Sequence, residues 1–321
     1  VGRDDNSVLS SAPAAARLAR PLELEDILNR FIYHPAAARL ARILRPTPVS
    51  PNAVSVAGAV SVWAAAWAYT GIDRPWGVVA GFSLHALWHV LDGADGDLAR
   101  LTGRSSNIGE IVDGLCDYAA HIILYVLLAA FLARSIGAAA WPVAALAGAS
   151  RMVQMNHVES QRRNYLWWAH GVPWLRQSAK SSQSMLHRNG WFRLLFGRLV
   201  RTYLAVATAM GPKAEAVDSQ VLAAWGRPEA LRRVQAQVRA AFAPALRLQK
   251  LEGANPRTVL LAISMALGTP LWFFLLEILA LNLLLVASVR YHNRLVASLA
   301  RSLAAIAGSD QARSPAAAEA R

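Results

Sequence analysis

The sequence predicts an all-α integral membrane protein, a six-transmembrane-helix bundle with an amphipathic N-terminal interfacial helix and a helical cytoplasmic insertion. Three observations predict it. The 321 residues are 55% hydrophobic, with a mean hydropathy of +0.29. Their apolar residues are gathered into long blocks, which marks helices that meet lipid rather than half-buried strands. Finally, arginine is concentrated in alternate loops, the signature of a chain threaded through a bilayer.

Taken in order, residues 1–20 are Ala- and Ser-rich without periodicity and are expected to be disordered. They lack the apolar core of a signal peptide, so insertion is expected to rely on the first span. Residues 21–46 set Leu24, Ile27, Leu28, Phe31 and Ile32 at helical spacing against Arg30, Arg39 and Arg42. That pattern predicts an amphipathic helix lying in the membrane interface, kinked at Pro35. Pro48, Pro51 and Asn52 mark the turn into the bilayer. Residues 47–158 are expected to hold four transmembrane helices, clearest over 52–70, 76–91, 111–133 and 138–153, each near the length that a core of about 30 Å requires.

Residues 159–256 predict the cytoplasmic insertion, with helical stretches over 191–210 and 228–249 whose faces mix apolar residues with arginine. The segment from Glu159 to Trp168 should carry the fourth helix out of the membrane, and Trp167, Trp168 and Trp174 suit a head-group belt. Two more spans are expected within residues 257–295, broken at Gly268-Thr269-Pro270, the first of them short. Residues 296–321 form a C-terminal tail, expected to be disordered from 308 onward.

Arg17, Arg20, Arg30, Arg39, Arg42 and Arg45 precede the first span, Arg100 and Arg104 follow the second, and Arg151, Arg162 and Arg163 lie at or beyond the end of the fourth. The opposite loops carry only Asp73, Arg74 and Arg134. The positive-inside rule therefore predicts a multi-pass protein whose amino terminus and long loop are cytoplasmic. The net charge of +13 has no basic cluster interleaved with aromatics to go with it, so a nucleic-acid partner is not expected. Arginine loops resting on anionic membrane lipids account for the excess. The single cysteine, Cys116, excludes an internal disulfide and reads as a packing residue.

The chemistry is concentrated between Asp92 and Asp117. Asp92 and Asp95 are related by i,i+3, and Asp113 and Asp117 by i,i+4, so each pair projects from one helical face. Two such faces set opposite each other make a four-carboxylate cage. Like charges about 4 Å apart repel by on the order of 4 kcal/mol at an effective dielectric near 20, so a cation is required between them. All-oxygen ligation suits Mg²⁺ or Mn²⁺, and four carboxylates suit a pair of ions, an arrangement that commonly handles phosphoryl groups. Gly93, Gly96, Ala99, Gly103 and Gly109 keep bulk away from the pocket, and Arg100 offers a planar fork to a phosphate.

The pattern D-x2-D-G-x2-A-R-x8-G-x3-D-x3-D, complete over residues 92–117, resembles the signature of the CDP-alcohol phosphotransferase family. The resemblance implies metal binding by Asp92, Asp95 and Asp113, with Asp117 as a ligand or as the base that deprotonates the acceptor hydroxyl. It likewise implies nucleotide contacts at Gly96, Ala99, Arg100 and Gly109, a CDP-activated donor, an alcohol acceptor, release of CMP in phospholipid biosynthesis, a six-helix membrane fold and a homodimer. The active site would then lie on the cytoplasmic side. Two other readings compete with it: a membrane prenyltransferase, which holds Mg²⁺ and a diphosphate on aspartate clusters far apart in sequence, and a non-catalytic membrane interaction protein.

Several residues outside the motif are singled out by their setting. His85 and His89 share a face with Asp92, and His121 lies one turn beyond Asp117. Each reads as a polar residue hydrogen-bonded within the bundle or, for His121, as a partner of Asp117 or of the acceptor. Asp97 should face water or Arg104. Glu277 and Asn282 interrupt an apolar run and are expected to face the bundle interior. Arg151, Arg162, Arg163, Arg290 and Arg294 are candidates for holding an anionic head group, or are simply the product of the positive-inside rule.

Overall fold

The computed structural model describes residues 21–104, 107–172, 205–206 and 208–312. Every regular element among the described residues is helical. A 3-10 turn at Leu22–Leu24 and a π turn at Asn29–Tyr33 precede α1 (His34–Leu44), followed by α2 (Pro51–Gly71), α3 (Trp76–Leu101) and α4 (Asn107–Ile136). Then come α5 (Ala140–His170), α6 (Ala214–Ala224), α7 (Pro228–Glu252), α8 (Ala254–Ala266), α9 (Leu271–Leu275) and α10 (Leu281–Ala312). Another π turn, Leu276–Ala280, joins α9 to α10. Among the described residues three helical stretches are long and apolar enough to cross a bilayer, Pro51–Gly71, Val112–His170 and Leu271–Ala305, as an integral membrane protein requires. The chain divides into two compact units, one of residues 24–154 and 250–283, the other of residues 1–23, 155–249 and 284–321.

In the unit formed by 24–154 and 250–283, α2 begins where its sequence says it should. Pro51 occupies the first helical turn, and the Ser50 hydroxyl accepts from the Ala53 backbone N–H at 3.2 Å. The helix is rich in alanine and glycine, which lets neighbouring backbones approach closely, as membrane helices do when lipid offers no hydrophobic drive for packing. A Cβ on Gly81 of α3 would lie 2.6 Å from the Tyr69 ring, and one on Gly58 would lie 3.3 Å from Trp88 Cδ1. Ala59, Val62 and Ala66 of α2 join Trp88, Leu124, Leu128, Phe273 and Phe274 in the core. The break before α9 is a glycine turn, with Gly268 at φ +93°. Helix α8 has 13 residues, about 20 Å at 1.5 Å per residue, too short to cross the bilayer alone.

The segment expected to be an amphipathic helix is helical over residues 27–44. Pro35 lies in the first turn of α1, directly after the π turn Asn29–Tyr33, with helical structure continuous through it. Ala37 and Ala41 pack on Val54, Ala94 and Leu98, while Ile27, Phe31, Ile32 and Ile43 are exposed.

A tryptophan belt is present in this unit, at residues the sequence reading did not choose. Trp67 at the end of α2, Trp76 at the start of α3, Trp141 at the start of α5 and Trp272 at the start of α9 are all exposed, and all lie at the helix ends remote from the aspartates. Asp92 lies sixteen residues along α3 from Trp76, a rise of about 24 Å, close to the full depth of a bilayer core.

Trp167 and Trp168, assigned to a belt by sequence, are instead fully buried in the unit of 155–249 and 284–321. Trp168 Nε1 donates to Asp218 at 2.6 Å, and Trp167 stacks on Trp225 with ring centroids 5.3 Å apart. Both indoles belong to a core that also holds Tyr165 and Phe242, although only that of Trp168 has a hydrogen-bond partner among the described residues. Trp174 lies outside the described residues. Helix α5 does continue through Trp168, ending at Gly171 with φ +69°, where the Ala169 carbonyl accepts from Arg239 at 3.0 Å.

The stretch expected to be helical over 228–249 is α7, whereas α6 was not anticipated and most of 191–210 lies outside the described residues. The tail expected from residue 296 is helical to Ala312, because Val296, Leu299 and Leu303 repeat at helical spacing and are buried. Disorder was expected over 308–321, but 308–312 are the last residues of α10; the disorder expected of 1–20 and of 313–321 falls outside the described residues.

Candidate active site

Helices α3 and α4 bring the aspartates together. Oxygens of Asp92, Asp113 and Asp117 all lie within 4.8 Å of one another. Asp95 is one step aside: its carboxylate is buried and accepts from the Ser55 hydroxyl of α2 at 2.5 Å, with Asp92 and Asp113 among its charged neighbours. The i,i+3 and i,i+4 spacings thus place two carboxylates on each of two facing helices. The separation is short enough to be strongly repulsive without a counter-cation and long enough to admit one. A donor set made only of carboxylate oxygens fits hard divalent ions such as Mg²⁺ and Mn²⁺.

The non-acidic motif residues lie along the same stretch. Gly96 leaves room for the Arg100 side chain, since a Cβ there would sit 3.4 Å from Arg100 Nη1. Arg100 pairs with Asp97, one helical turn back. Asp97 was expected to face water or Arg104; the i,i+3 register instead gives it to Arg100, holding the guanidinium against α3. Ala99 is half-buried on α3, and Gly109 lies in the first turn of α4.

Two hydrogen-bonding partners of the carboxylates escaped the sequence reading. One is Ser55. The other is Trp88, whose indole Nε1 donates to Asp117 Oδ1 at 3.0 Å. A signal for Trp88 was present, because it precedes Asp92 by four residues and therefore shares its helical face. No periodic signal marks Ser55, which is one polar residue in a small-residue helix. His121 is held by its neighbour's backbone, with Nδ1 2.8 Å from the Asp117 carbonyl oxygen, so it touches Asp117 without touching the carboxylate. His89 bonds Thr258 Oγ1 at 2.9 Å and stacks on Tyr33, while His85 is buried beside both other histidines. All three are interior residues, and the hydrogen bonding expected of each is found for His89 and His121 but not for His85, whose two ring nitrogens are buried without a partner among the described residues.

Glu277 and Asn282 face the interior, as expected. Glu277 is fully buried and pairs with Arg257, with Arg151 Nη1 at 3.7 Å. Asn282 accepts from Gln154 at 2.8 Å and donates to Ser150 at 2.9 Å. Three of the candidate head-group arginines have carboxylate partners. Arg151 is engaged by Glu277, and Arg162 and Arg163 both bond Glu159. Cys116 is half-buried against the core.

Residues 48–174 match the family model for CDP-alcohol phosphatidyltransferase. Over that segment, less than half of the chain, the protein is similar to this family. Its members are transferases of phosphorus-containing groups, and the matched residues run from the turn before α2 to just beyond α5, enclosing all four aspartates. No curated protein matches the chain. The matched residues include the carboxylate cluster of Asp92, Asp113 and Asp117.

Proposed function

We propose that the protein transfers a phosphatidyl or other phospho-alcohol group from a CDP-activated donor to an alcohol, releasing CMP. The observation that carries this reading is the convergence of Asp92, Asp113 and Asp117 within 4.8 Å inside a CDP-alcohol phosphatidyltransferase domain. Asp92, Asp95 and Asp113 are assigned as ligands of Mg²⁺ or Mn²⁺, with Asp117 as ligand or base. Divalent ions held there would neutralise the donor diphosphate and the charge developing on CMP, a role worth several kcal/mol in comparable sites.

The chain's own groups supply the rest. Asp117, or a water it orients, takes the proton from the acceptor hydroxyl. The freed oxygen bonds to the phosphorus that carries the transferred group, and that phosphorus loses its bridging oxygen to CMP. Gly96, Ala99 and Gly109 admit the nucleotide close to the helix backbones. Arg100 steadies a phosphate while exchanging its partner Asp97 for the ligand.

The arginine loops and the remote tryptophan belt support an active site near the cytoplasmic surface, with the exposed Ile27, Phe31 and Ile32 lying in the interface. A six-span homodimer completes this reading. The deciding experiment incubates purified protein with Mg²⁺ or Mn²⁺, CDP-diacylglycerol or a CDP-choline-type donor, and a panel of alcohols. CMP and a new phospholipid in one donor and acceptor combination are expected; no CMP from any combination would overturn the proposal.

A further inference from the structure

The aspartates are only as well placed as the groups that orient them. Asp117 is the carboxylate furthest along α4, and one of its oxygens is fixed by Trp88 Nε1 at 3.0 Å. The indole itself has almost no freedom. It is 5% exposed, and the bare backbone of Gly58 gives it room, where a Cβ would come within 3.3 Å of Cδ1. His121 meets it edge-on with ring centroids 4.8 Å apart, and His121 is in turn tied to the Asp117 carbonyl oxygen. On its other side His89 lies 4.5 Å away, itself stacked on Tyr33 and bonded to Thr258. Residues of α2, α3 and α4 thus enclose the indole that makes this one hydrogen bond.

We propose that Trp88 is a positioning residue: its indole N–H holds the Asp117 carboxylate in the orientation in which the second oxygen faces Asp92 and Asp113. The inference rests on the carboxylate-cage reading above. An indole N–H can only donate, so it holds one oxygen lone pair without competing for a cation and without carrying a proton away. Partners of this kind around metal ligands typically set affinity by about 10- to 100-fold.

The test titrates Mn²⁺ into the purified full-length protein, following free Mn²⁺ by electron paramagnetic resonance, for the natural chain and for Trp88→Phe. The phenyl ring keeps most of the packing and removes the donor. Weaker Mn²⁺ binding by about tenfold or more is expected, with Trp88→His, which retains a ring N–H, recovering part of the loss. Equal binding by natural chain and Trp88→Phe would overturn the inference and leave the transferase reading intact, as would equal losses in the Phe and His variants. Failure of the natural chain to bind Mn²⁺ would overturn both.

A measurement on the natural chain does not depend on those variants folding. With the eleven tryptophans labelled with ¹⁵N, one indole N–H should broaden first as Mn²⁺ is added, and the same resonance should move in Asp117→Asn. No such resonance would also overturn the proposal.

Discussion

Removing one carboxylate from the cage should stabilise the metal-free protein while destroying its response to metal. Take Asp113→Asn, which keeps shape and removes charge. With carboxylate oxygens within 4.8 Å, each ionised pair repels by about 3.5 kcal/mol at an effective dielectric of 20. Asp113 belongs to two such pairs. The repulsion cannot grow without limit, because a carboxyl of ordinary pKa takes up a proton at pH 7 at a cost of about 4 kcal/mol. The variant should therefore gain about 1–4 kcal/mol in EDTA.

Mn²⁺ reverses the order. At a hundred times its dissociation constant a bound ion adds about 2.7 kcal/mol to the natural chain, which the variant should forgo. Unfolding of detergent-solubilised protein, in EDTA and in Mn²⁺, measures both signs. An Asp113→Asn protein that is less stable than the natural chain in EDTA, or that gains as much from Mn²⁺, would refute the reasoning.

Glu277→Gln should destabilise the protein by about 3–5 kcal/mol, since it leaves Arg257 and Arg151 buried without a counter-charge; detergent unfolding checks it, and a loss below about 1 kcal/mol would contradict the pairing. Gly81→Ala should cost about 1–3 kcal/mol by the same assay, because the new methyl lies 2.6 Å from the Tyr69 ring and both helices must shift. Trp167→Ala should cost about 3–5 kcal/mol, as expected of a core indole stacked on Trp225. A head-group-belt residue would lose far less, so Trp76→Ala serves as the exposed comparison.

The aspartate geometry was legible where it is local. Two carboxylates three or four residues apart share a face whatever the rest of the chain does, so the pairs Asp92/Asp95 and Asp113/Asp117 could be read from spacing, whereas the meeting of Asp92 with Asp113 and Asp117, with Asp95 one step aside, depends on how α3 packs on α4. The inward placement of Glu277 and Asn282 was legible for a similar reason, since a polar group within an apolar run has nowhere to go but inward. What failed to show depended on partners distant in sequence. Ser55 gains its meaning only when α2 brings it to Asp95, forty residues away. Trp167 and Trp168 look like interfacial anchors until α6 and α7 supply Asp218, Trp225 and Phe242 to cover them. Arg151 looks like a free cation until Glu277, more than a hundred residues later, is set beside it. Composition identifies a tryptophan or an arginine as amphipathic, and only the fold decides which end of it is used.

The account depends most on the carboxylates of α3 and α4 acting through shared divalent ions. The direct measurement is the rate of CMP release from a productive donor and acceptor pair, in EDTA, after Mn²⁺ is restored, and in Asp92→Asn, Asp113→Asn and Asp117→Asn. The account predicts no release in EDTA, full recovery with Mn²⁺, and none from folded Asn variants at any Mn²⁺ concentration. Release at the natural rate in EDTA, or from any one of those variants, would contradict it.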